Sequence, residues 1–356
     1  MLNELTLNEK IGQMMIVGMD GNKIDSRIKK LILDYKIGGI VLYRRNFESY
    51  SDMLNLISDL KKLNSTNKVP FFIAIDQEGG RVNRMPSEIH NLKNAYMISK
   101  TKNINVIRES ADITGTILWE SGFNVNFSPV LDVLGKRTNN SIGNRCYGDT
   151  PEDVSEYGVQ IMKQLQKHKI ISVIKHFPGQ GASRFDSHYV LPYVKNIDEK
   201  QVKPFVDAIE QGAEAMMLGH MVIKKIDRYT PASLSKKVIK EIRVKYNYNG
   251  IIMTDDLKMR AIKYLYGTKR AVKKAFLAGN DLILFRFKQN DEEKCIKYIQ
   301  RMVANGRISH EMINQSVARI IRIKQKYGLS DMEKIKGCNI EEINKRIDKV
   351  NDFVGE

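Results

Sequence analysis

The feature that most constrains the fold is an alternation between short apolar runs and longer segments of helical periodicity. The runs end in a glycine or a polar residue, and eight of them stand at 13–18, 38–43, 70–75, 123–129, 171–174, 215–218, 250–254 and 281–285. Runs that are apolar almost throughout, such as FFIAI and IIMT, are typical of strands buried on both faces of a parallel sheet. The runs therefore predict eight buried strands.

The segments between these runs are rich in helix-forming residues with apolar residues at helical intervals. They span 51–63, 101–120, 151–168, 198–211, 235–246, 266–278 and 291–305. An open, doubly wound sheet would fit this alternation too. The count of eight, together with polar clusters after several of the strands, favours an α/β fold with a single (β/α)8 barrel of the TIM type.

The pattern predicts one domain with an extension. We assign residues 1–330 to the barrel and 331–356 to a C-terminal helical tail. The tail alternates charges of both signs on an amphipathic pattern, which favours one or two helices packed on the barrel or extending from it. We expect the tail to serve packing rather than function.

The net charge raises the question of a polyanionic partner. The chain has 58 Lys and Arg residues against 41 Asp and Glu residues, a formal net charge of +17. The basic residues are scattered, with no basic run interleaved with aromatic residues, no helix-turn-helix pattern and no zinc-finger spacing. We therefore expect no nucleic-acid partner.

Two further patterns bear on the compartment. No apolar run approaches the roughly 18 residues that a membrane span requires, and residues 1–18 lack the basic start and long apolar core of a signal peptide. The three cysteines form no CxxC pair, which argues against a disulfide framework and a zinc site. We expect a cytoplasmic protein in a reducing environment, without membrane association.

The first polar cluster is IAIDQEGGRVNR at 73–84, where a strand delivers Asp76, Glu78, Arg81 and Arg84 into a Gly-Gly turn. A salt-bridged loop would explain this cluster by itself. Carboxylates and guanidinium groups at a strand end also suit sugar hydroxyls, which donate and accept hydrogen bonds at once.

The second cluster is IKHFPGQGASRFDSH at 174–188. A strand ends in Lys175 and His176, and a glycine-rich loop then leads to Asp186 and His188. A lone histidine is more often structural than catalytic. A carboxylate two residues before a histidine, however, can accept its ring N–H and raise its basicity, so this cluster predicts acid–base chemistry.

The third cluster is IIMTDDLKM at 251–259, which puts Asp255 and Asp256 at the end of a buried strand. Two adjacent carboxylates are costly in one pocket of low polarity. Because successive strand residues face opposite ways, we expect Asp255 to face the barrel mouth. Asp256 is then expected to cap a helix that begins near Leu257.

Together these clusters resemble the family 3 glycoside hydrolases, in particular their bacterial β-N-acetylglucosaminidase (β-hexosaminidase) branch. DQEGGRVNR, KHFPGQG with DSH, and TDDLKM stand in the order and approximate spacing of that family. NFSPVLDV at 126–133 and NRCYGDTPEDV at 144–154 are also similar to its members. The resemblance runs from about residue 5 to about residue 330.

The resemblance implies a retaining exo-hydrolase that removes terminal β-linked N-acetylglucosamine through a covalent glycosyl-enzyme intermediate. Carried over by motif, Asp255 is the nucleophile, His188 the acid/base and Asp186 its partner. The substrate-binding positions of the family correspond to Asp76, Arg84, Arg145, Lys175 and His176. The resemblance implies no metal and no cofactor. The implied substrates are N-acetylglucosamine-containing saccharides or the muropeptides of peptidoglycan recycling, and we expect a monomer.

Two other interpretations stay open at this point. The same nucleophile could transfer the sugar to phosphate, because a neutral imidazole base does not repel an incoming anion. Alternatively, an idle barrel could bind an anionic glycan through its +17 charge, although intact Asp255, Asp186 and His188 argue against idleness. The chain departs from the family at Gln180, where KHFPG is commonly followed by His, and in the basic ASRF segment that follows.

Overall fold

A computed structural model describes residues 2–134, 142–181, 191–286 and 291–355. Eight parallel strands form a nearly closed barrel. They are β1 Met15–Gly18, β2 Gly39–Leu42, β3 Phe72–Ile75, β4 Val125–Asn126, β5 Ile171–Phe177, β7 Ala215–Leu218, β9 Ile251–Thr254 and β10 Ile283–Phe285. Their order around the barrel is β10-β1-β2-β3-β4-β5-β7-β9. Each of the eight predicted runs coincides with one of these strands, although β5 continues beyond its run of 171–174 to Phe177. The TIM-type fold is therefore confirmed.

The barrel closes between its last two strands through a few backbone contacts. Met253 and Leu282 form a parallel bridge, and the N–H of Thr254 donates to the carbonyl of Leu282 at 3.2 Å. Toward the carboxyl ends of the two strands, the N–H of Leu257 donates to the carbonyl of Leu284 at 3.1 Å. These contacts hold the end of β9 beside the end of β10.

Helices surround the barrel. They are α1 Leu7–Gln13, α2 Ser26–Leu33, α3 Tyr50–Asn64, α4 Ala95–Lys100, α5 Ile104–Glu120, α6 Pro151–Lys167, α7 Glu199–Glu210, α8 Lys236–Lys245, α9 Arg260–Tyr266, α10 Thr268–Ala278, α11 Asp291–Ala304, α12 His310–Lys326 and α13 Ile340–Val354. Each predicted helical segment overlaps one of them. Among the described helices, none has both the length and the apolar character that crossing a bilayer requires.

The helix starts follow local sequence signals. Ser49 accepts a hydrogen bond from the N–H of Asp52, and the Asp52 carboxylate accepts one from the N–H of Ser49, which is a capping box at the start of α3. At the start of α6, Thr150 accepts from the N–H of Asp153, and Pro151 occupies the first helical position.

The pattern did not predict a second, two-stranded sheet above the barrel. Its strands are β6 Tyr193–Val194 and β8 Val222–Ile223, which pair in parallel. Because β6 lies in the connection after β5 and β8 in the connection after β7, the small sheet ties these two connections together. Each strand has only two residues, too few to show period-two alternation in the sequence.

Helix α13 packs against the outside of the barrel. Its residues Ile343, Ile347 and Val350 are buried, and Arg346 donates to Glu109 and Asp112 of α5 at 2.9 and 2.7 Å. We propose that residues 331–356 form a packing extension of the barrel domain.

The end of the barrel opposite the polar clusters is held by a buried carboxylate, Asp281. Its side chain is fully buried and pairs with Arg243 at 2.6 Å and Arg319 at 3.0 Å. It also accepts from the N–H of Ile252 at 2.8 Å, which links β9 to the residue before β10.

We predict that Asp281→Ala lowers the free energy of unfolding by about 3–5 kcal/mol, because it leaves two guanidinium groups without their carboxylate partner and a strand N–H without its acceptor. Glu341→Ala is the control, since Glu341 forms an exposed pair with Lys345 on α13, and such a pair contributes about 0.5 kcal/mol or less. Denaturant unfolding of both variants checks the prediction. Equal stabilities for the two variants would contradict it.

Candidate active site

The carboxyl ends of the barrel strands surround a cavity of about 310 Å³. Parallel strands in a barrel bring the residues that follow them to one face, so side chains far apart in sequence meet there. The cavity is lined by Tyr43, Asp76, Glu78, Arg81, Val82, Arg84, Phe127, Arg145, Lys175, His176, Met217, Asp255, Asp256, Met259, Leu284 and Arg286. The predicted polar clusters therefore share one pocket.

A chain of alternating charges forms one wall of the pocket. Lys175 at the end of β5 is buried, and its Nζ lies 2.8 Å from Asp76 Oδ1 and 2.6 Å from Glu78 Oε1. The guanidinium of Arg145 binds both carboxylate oxygens of Glu78 at 2.8 Å. This two-point contact fixes Glu78 and, through it, the ammonium of Lys175.

The ionisation of this wall follows from its pairing. Burial alone would raise the pKa of Glu78, but the charges of Arg145 and Lys175 hold that pKa well below its ordinary range. Burial also opposes the charge of Arg145, whereas Glu78 raises the pKa of this guanidinium. The wall thus presents fixed charges and donors, which suits hydroxyl recognition.

His176 is oriented by a residue that sequence reasoning did not single out. Its Nδ1 lies 2.7 Å from Oδ2 of the fully buried Asp132. Because a carboxylate accepts, Nδ1 carries the proton and Nε2 is the ring nitrogen left for a ligand. The other oxygen of Asp132 accepts from the N–H of Gln180 at 2.6 Å, so Asp132 also anchors the start of the glycine-rich loop.

Asp255 follows β9 directly and lines the pocket. Burial would raise the pKa of its carboxyl, but His220, His176, the N–H of Asp256 and Lys175 together lower it below the ordinary value. The N–H of Asp256 donates to Asp255 Oδ1 at 2.7 Å. A carboxylate kept ionised at a barrel mouth is suited to nucleophilic attack.

The prediction that Asp256 caps a helix near Leu257 is wrong. The next helix, α9, begins only at Arg260, and its capping position, Met259, makes no side-chain hydrogen bond. Instead, Asp256 Oδ1 accepts from the N–H of Lys258 at 3.0 Å and from the N–H of Arg286 at 2.9 Å. The carboxylate therefore joins the ends of β9 and β10. Burial raises its pKa, and the charge of Asp255 raises it further.

On the side of the pocket away from His176, three guanidinium groups surround one phenol ring. The Cζ atoms of Arg286, Arg45 and Arg84 lie 5.1, 5.4 and 5.8 Å from the centre of the Tyr43 ring. These distances are within the range of cation–π attraction. Tyr43 is buried at the end of β2, whereas Arg45 is exposed at the rim.

Six of the eight predicted site residues lie in this pocket, namely Asp76, Arg84, Arg145, Lys175, His176 and Asp255. Asp186 and His188 lie outside the described residues. Sequence reasoning missed Tyr43, Asp132, His220 and Arg286. Tyr43 and Arg286 stand at the ends of predicted strands, so the rule that located Asp255 could have found them.

Within the part of the chain that the structure describes, no group of three or more His, Cys, Asp or Glu residues could hold a metal ion. The described lining of the pocket combines carboxylates, guanidinium groups, one ammonium group and one imidazole.

Comparison with a family model finds a match over residues 6–323 to the N-terminal domain of glycosyl hydrolase family 3. Among solved structures, the chain is similar to a glycoside hydrolase family 3 β-N-acetylglucosaminidase from Paenibacillus sp. strain FPU-7, with a TM-score of 0.92 and 31% identity. That superposition covers 98% of this chain and 69% of the other.

Two curated relatives are named β-hexosaminidases. A β-hexosaminidase A from Pseudoalteromonas piscicida is 28% identical over 329 residues, which cover 84% of this chain and 55% of the relative. A β-hexosaminidase from Neisseria meningitidis serogroup A is 31% identical over 268 residues, covering 72% of this chain and 73% of the relative. The chain thus spans about half the length of the first relative and about three quarters of the second.

Proposed function

The chain belongs to glycosyl hydrolase family 3, and from this premise we propose that it is a retaining exo-β-N-acetylglucosaminidase with Asp255 as its nucleophile. The observation that carries the proposal is the position of Asp255. Its carboxylate stands at the end of β9 in a pocket of about 310 Å³, which it shares with the charged wall of Asp76, Lys175 and Arg145.

In the first step, the Asp255 carboxylate attacks the anomeric carbon and the bond to the leaving oxygen breaks. His188 donates a proton to that oxygen. In the second step, a water oxygen bonds to the anomeric carbon while His188 takes its proton, and the ester to Asp255 breaks. Asp186 stabilises the protonated form of this imidazole, which is present before the first step and again after the second. The roles of His188 and Asp186 rest on the DSH motif.

The charged residues that line the pocket bind the substrate. We assign the hydroxyls of the terminal sugar to Asp76, Arg84, Arg145, Lys175 and His176, each of which lines the pocket. Because Glu78 and Asp132 hold Arg145 and His176 in place before a ligand arrives, little ordering is needed on binding.

The choice of an N-acetylhexosaminide rests on the DSH motif and on the relatives, which are named β-hexosaminidases or β-N-acetylglucosaminidases. The finer assignment, to peptidoglycan fragments in the cytoplasm, stays a prediction from the resemblance.

The substrate is tested by release of p-nitrophenol from the β-N-acetylglucosaminide, the β-glucoside and the β-N-acetylgalactosaminide. We expect kcat/KM for the N-acetylglucosaminide to exceed that for the glucoside by at least about 100-fold, because a site built for a polar substituent discriminates strongly against its absence. Asp255→Ala protein, purified in parallel, controls for contaminating glycosidases. Equal turnover of the plain glucoside would contradict the proposal.

A further inference from the structure

The apolar stripe of α13 that packs on the barrel has a polar stripe beside it. Asn344, Asp348 and Asn351 are spaced by four and then three positions, so they lie on one side of the helix. All three bind residues 88–93, a segment without helix or strand that follows the first polar cluster, 73–84. Helix α13 therefore contacts the stretch of chain that leaves this cluster.

Asn344 binds the backbone of this segment at two points. Its Oδ1 accepts from the N–H of His90 at 2.8 Å, and its Nδ2 donates to the carbonyl of Glu88 at 2.8 Å. The side-chain amide thus pairs with the carbonyl of one residue and with the N–H two residues later, much as a residue of a neighbouring parallel strand does. Asp348 adds a contact of 2.8 Å between its carboxylate and His90 Nδ1.

Asn351 makes the same two-point contact three residues further along the segment. Its Oδ1 accepts from the N–H of Lys93 at 2.9 Å, and its Nδ2 donates to the carbonyl of Asn91 at 2.9 Å. An irregular segment has no neighbouring strand to satisfy its N–H and C=O groups, so bonds of this kind decide where the segment lies. The two asparagines therefore fix the course of residues 88–93.

The segment in turn supports the Gly-Gly turn of the first polar cluster. The N–H of Gly80 donates to the carbonyl of Leu92 at 2.9 Å, and the carbonyl of Gly80 accepts from Asn91 Nδ2 at 2.7 Å. A Cβ on Gly80 would lie 2.5 Å from the Cβ of Asn94, so the backbone of the turn rests directly against the segment. A shift of the segment would therefore shift the turn.

The turn adjoins the charged wall of the pocket. Glu78 comes just before it, and the N–H of Glu78 donates to the carbonyl of Val82 at 3.0 Å across the turn. The carboxylate of Glu78 binds both Lys175 and Arg145. A displaced turn would thus displace the ammonium and guanidinium groups that we assign to the sugar hydroxyls.

We propose that α13 positions the first polar cluster for sugar binding through residues 88–93, with Asn344 and Asn351 as positioning residues. This inference rests on the proposed function, which assigns that cluster to the terminal sugar. Neither asparagine lines the pocket. Their loss should weaken binding of the sugar in the ground state and in the transition state alike, which raises KM and leaves kcat nearly unchanged. The C-terminal extension then serves substrate binding as well as packing.

Steady-state kinetics with p-nitrophenyl β-N-acetylglucosaminide test the positioning role. Asn351→Ala should raise KM by about three- to thirtyfold, the size of effects transmitted through a network of contacts, and should change kcat by less than about twofold. Asn344→Ala should act in the same direction, and it keeps the test informative if Asn351→Ala fails to fold. Asn351→Asp retains the acceptor for the N–H of Lys93 but loses the donor, so it should recover part of the lost affinity.

Arg346→Gln is the matched control, because Arg346 anchors the same helix but donates to Glu109 and Asp112 of α5 instead of residues 88–93. It should lower the midpoint of thermal unfolding at least as much as Asn351→Ala while leaving KM unchanged. Hydrogen exchange followed by mass spectrometry gives a local measurement that does not depend on catalysis. Peptides from 76–94 should exchange faster than in the wild type in Asn351→Ala and at the wild-type rate in Arg346→Gln.

An unchanged KM in both asparagine variants would overturn the inference, and so would an equal rise of KM in Asn351→Ala and Arg346→Gln. If either occurs while the N-acetylglucosaminide is hydrolysed, the proposed function stands and only this inference fails. If the wild type cleaves no glycoside, yet exchange of 76–94 accelerates in Asn351→Ala and not in Arg346→Gln, the positioning by α13 stands and the proposed function fails.

Discussion

Asp255→Ala should abolish turnover of the β-N-acetylglucosaminide, lowering kcat by about 10⁴-fold or more, because no covalent intermediate can form without the nucleophile. The variant should fold, since among the described residues the Asp255 carboxylate accepts a hydrogen bond only from the neighbouring N–H of Asp256. Steady-state kinetics together with thermal unfolding check both parts of this prediction.

Asp256→Ala is the matched control, one residue away in the same strand end. Its carboxylate joins β9 to β10 through the N–H groups of Lys258 and Arg286. Losing these bonds should cost about 1–3 kcal/mol of stability, with a loss of activity at least about 100-fold smaller than that of Asp255→Ala. Equal losses of activity would remove the basis for choosing Asp255.

His188→Ala should slow hydrolysis of substrates with poor leaving groups by about two to four orders of magnitude, the usual size of a general acid–base contribution. A very good leaving group needs no proton in the first step. With such a substrate, His188→Ala should therefore slow mainly the second step, the hydrolysis of the glycosyl-enzyme. The glycosyl-enzyme should then accumulate, which pre-steady-state kinetics would detect as a burst.

His310→Ala, at an exposed position at the start of α12, controls for the general effect of removing an imidazole. It should leave kcat/KM unchanged for both kinds of substrate. If His188→Ala damaged good and poor leaving groups equally and produced no burst, its role as acid/base would be wrong.

The fold could be predicted from the sequence because its main signals are local. Buried strands such as Phe72–Ile75 and Ile251–Thr254 stand out as apolar runs, and the helix starts at Ser49 and Thr150 carry their own caps. In a barrel, residues at strand ends meet at one face. This rule alone predicts that Asp76, Lys175 and Asp255 share one pocket.

What could not be predicted depends on pairing across the barrel. The contact between His176 and Asp132 joins residues 44 positions apart. The guanidinium of Arg286 lies 5.1 Å from the centre of the Tyr43 ring, although the two residues are far apart in sequence. Neither pair leaves a local pattern. The prediction for Asp256 failed for the same reason, because its carboxylate binds the N–H of Arg286 on the neighbouring strand instead of the helix that follows it.

The central claim, covalent catalysis by Asp255, is tested most directly by trapping the intermediate with a 5-fluoro N-acetylglucosaminyl fluoride. The ring fluorine destabilises the cationic transition states of both steps, while the fluoride leaving group keeps the first step fast enough to load the enzyme. After proteolysis, mass spectrometry should locate a single added sugar on Asp255 in the peptide that contains IIMTDDLKM. A sugar on Asp256 or on any other residue, or no adduct on an enzyme that cleaves the substrate, would contradict the account.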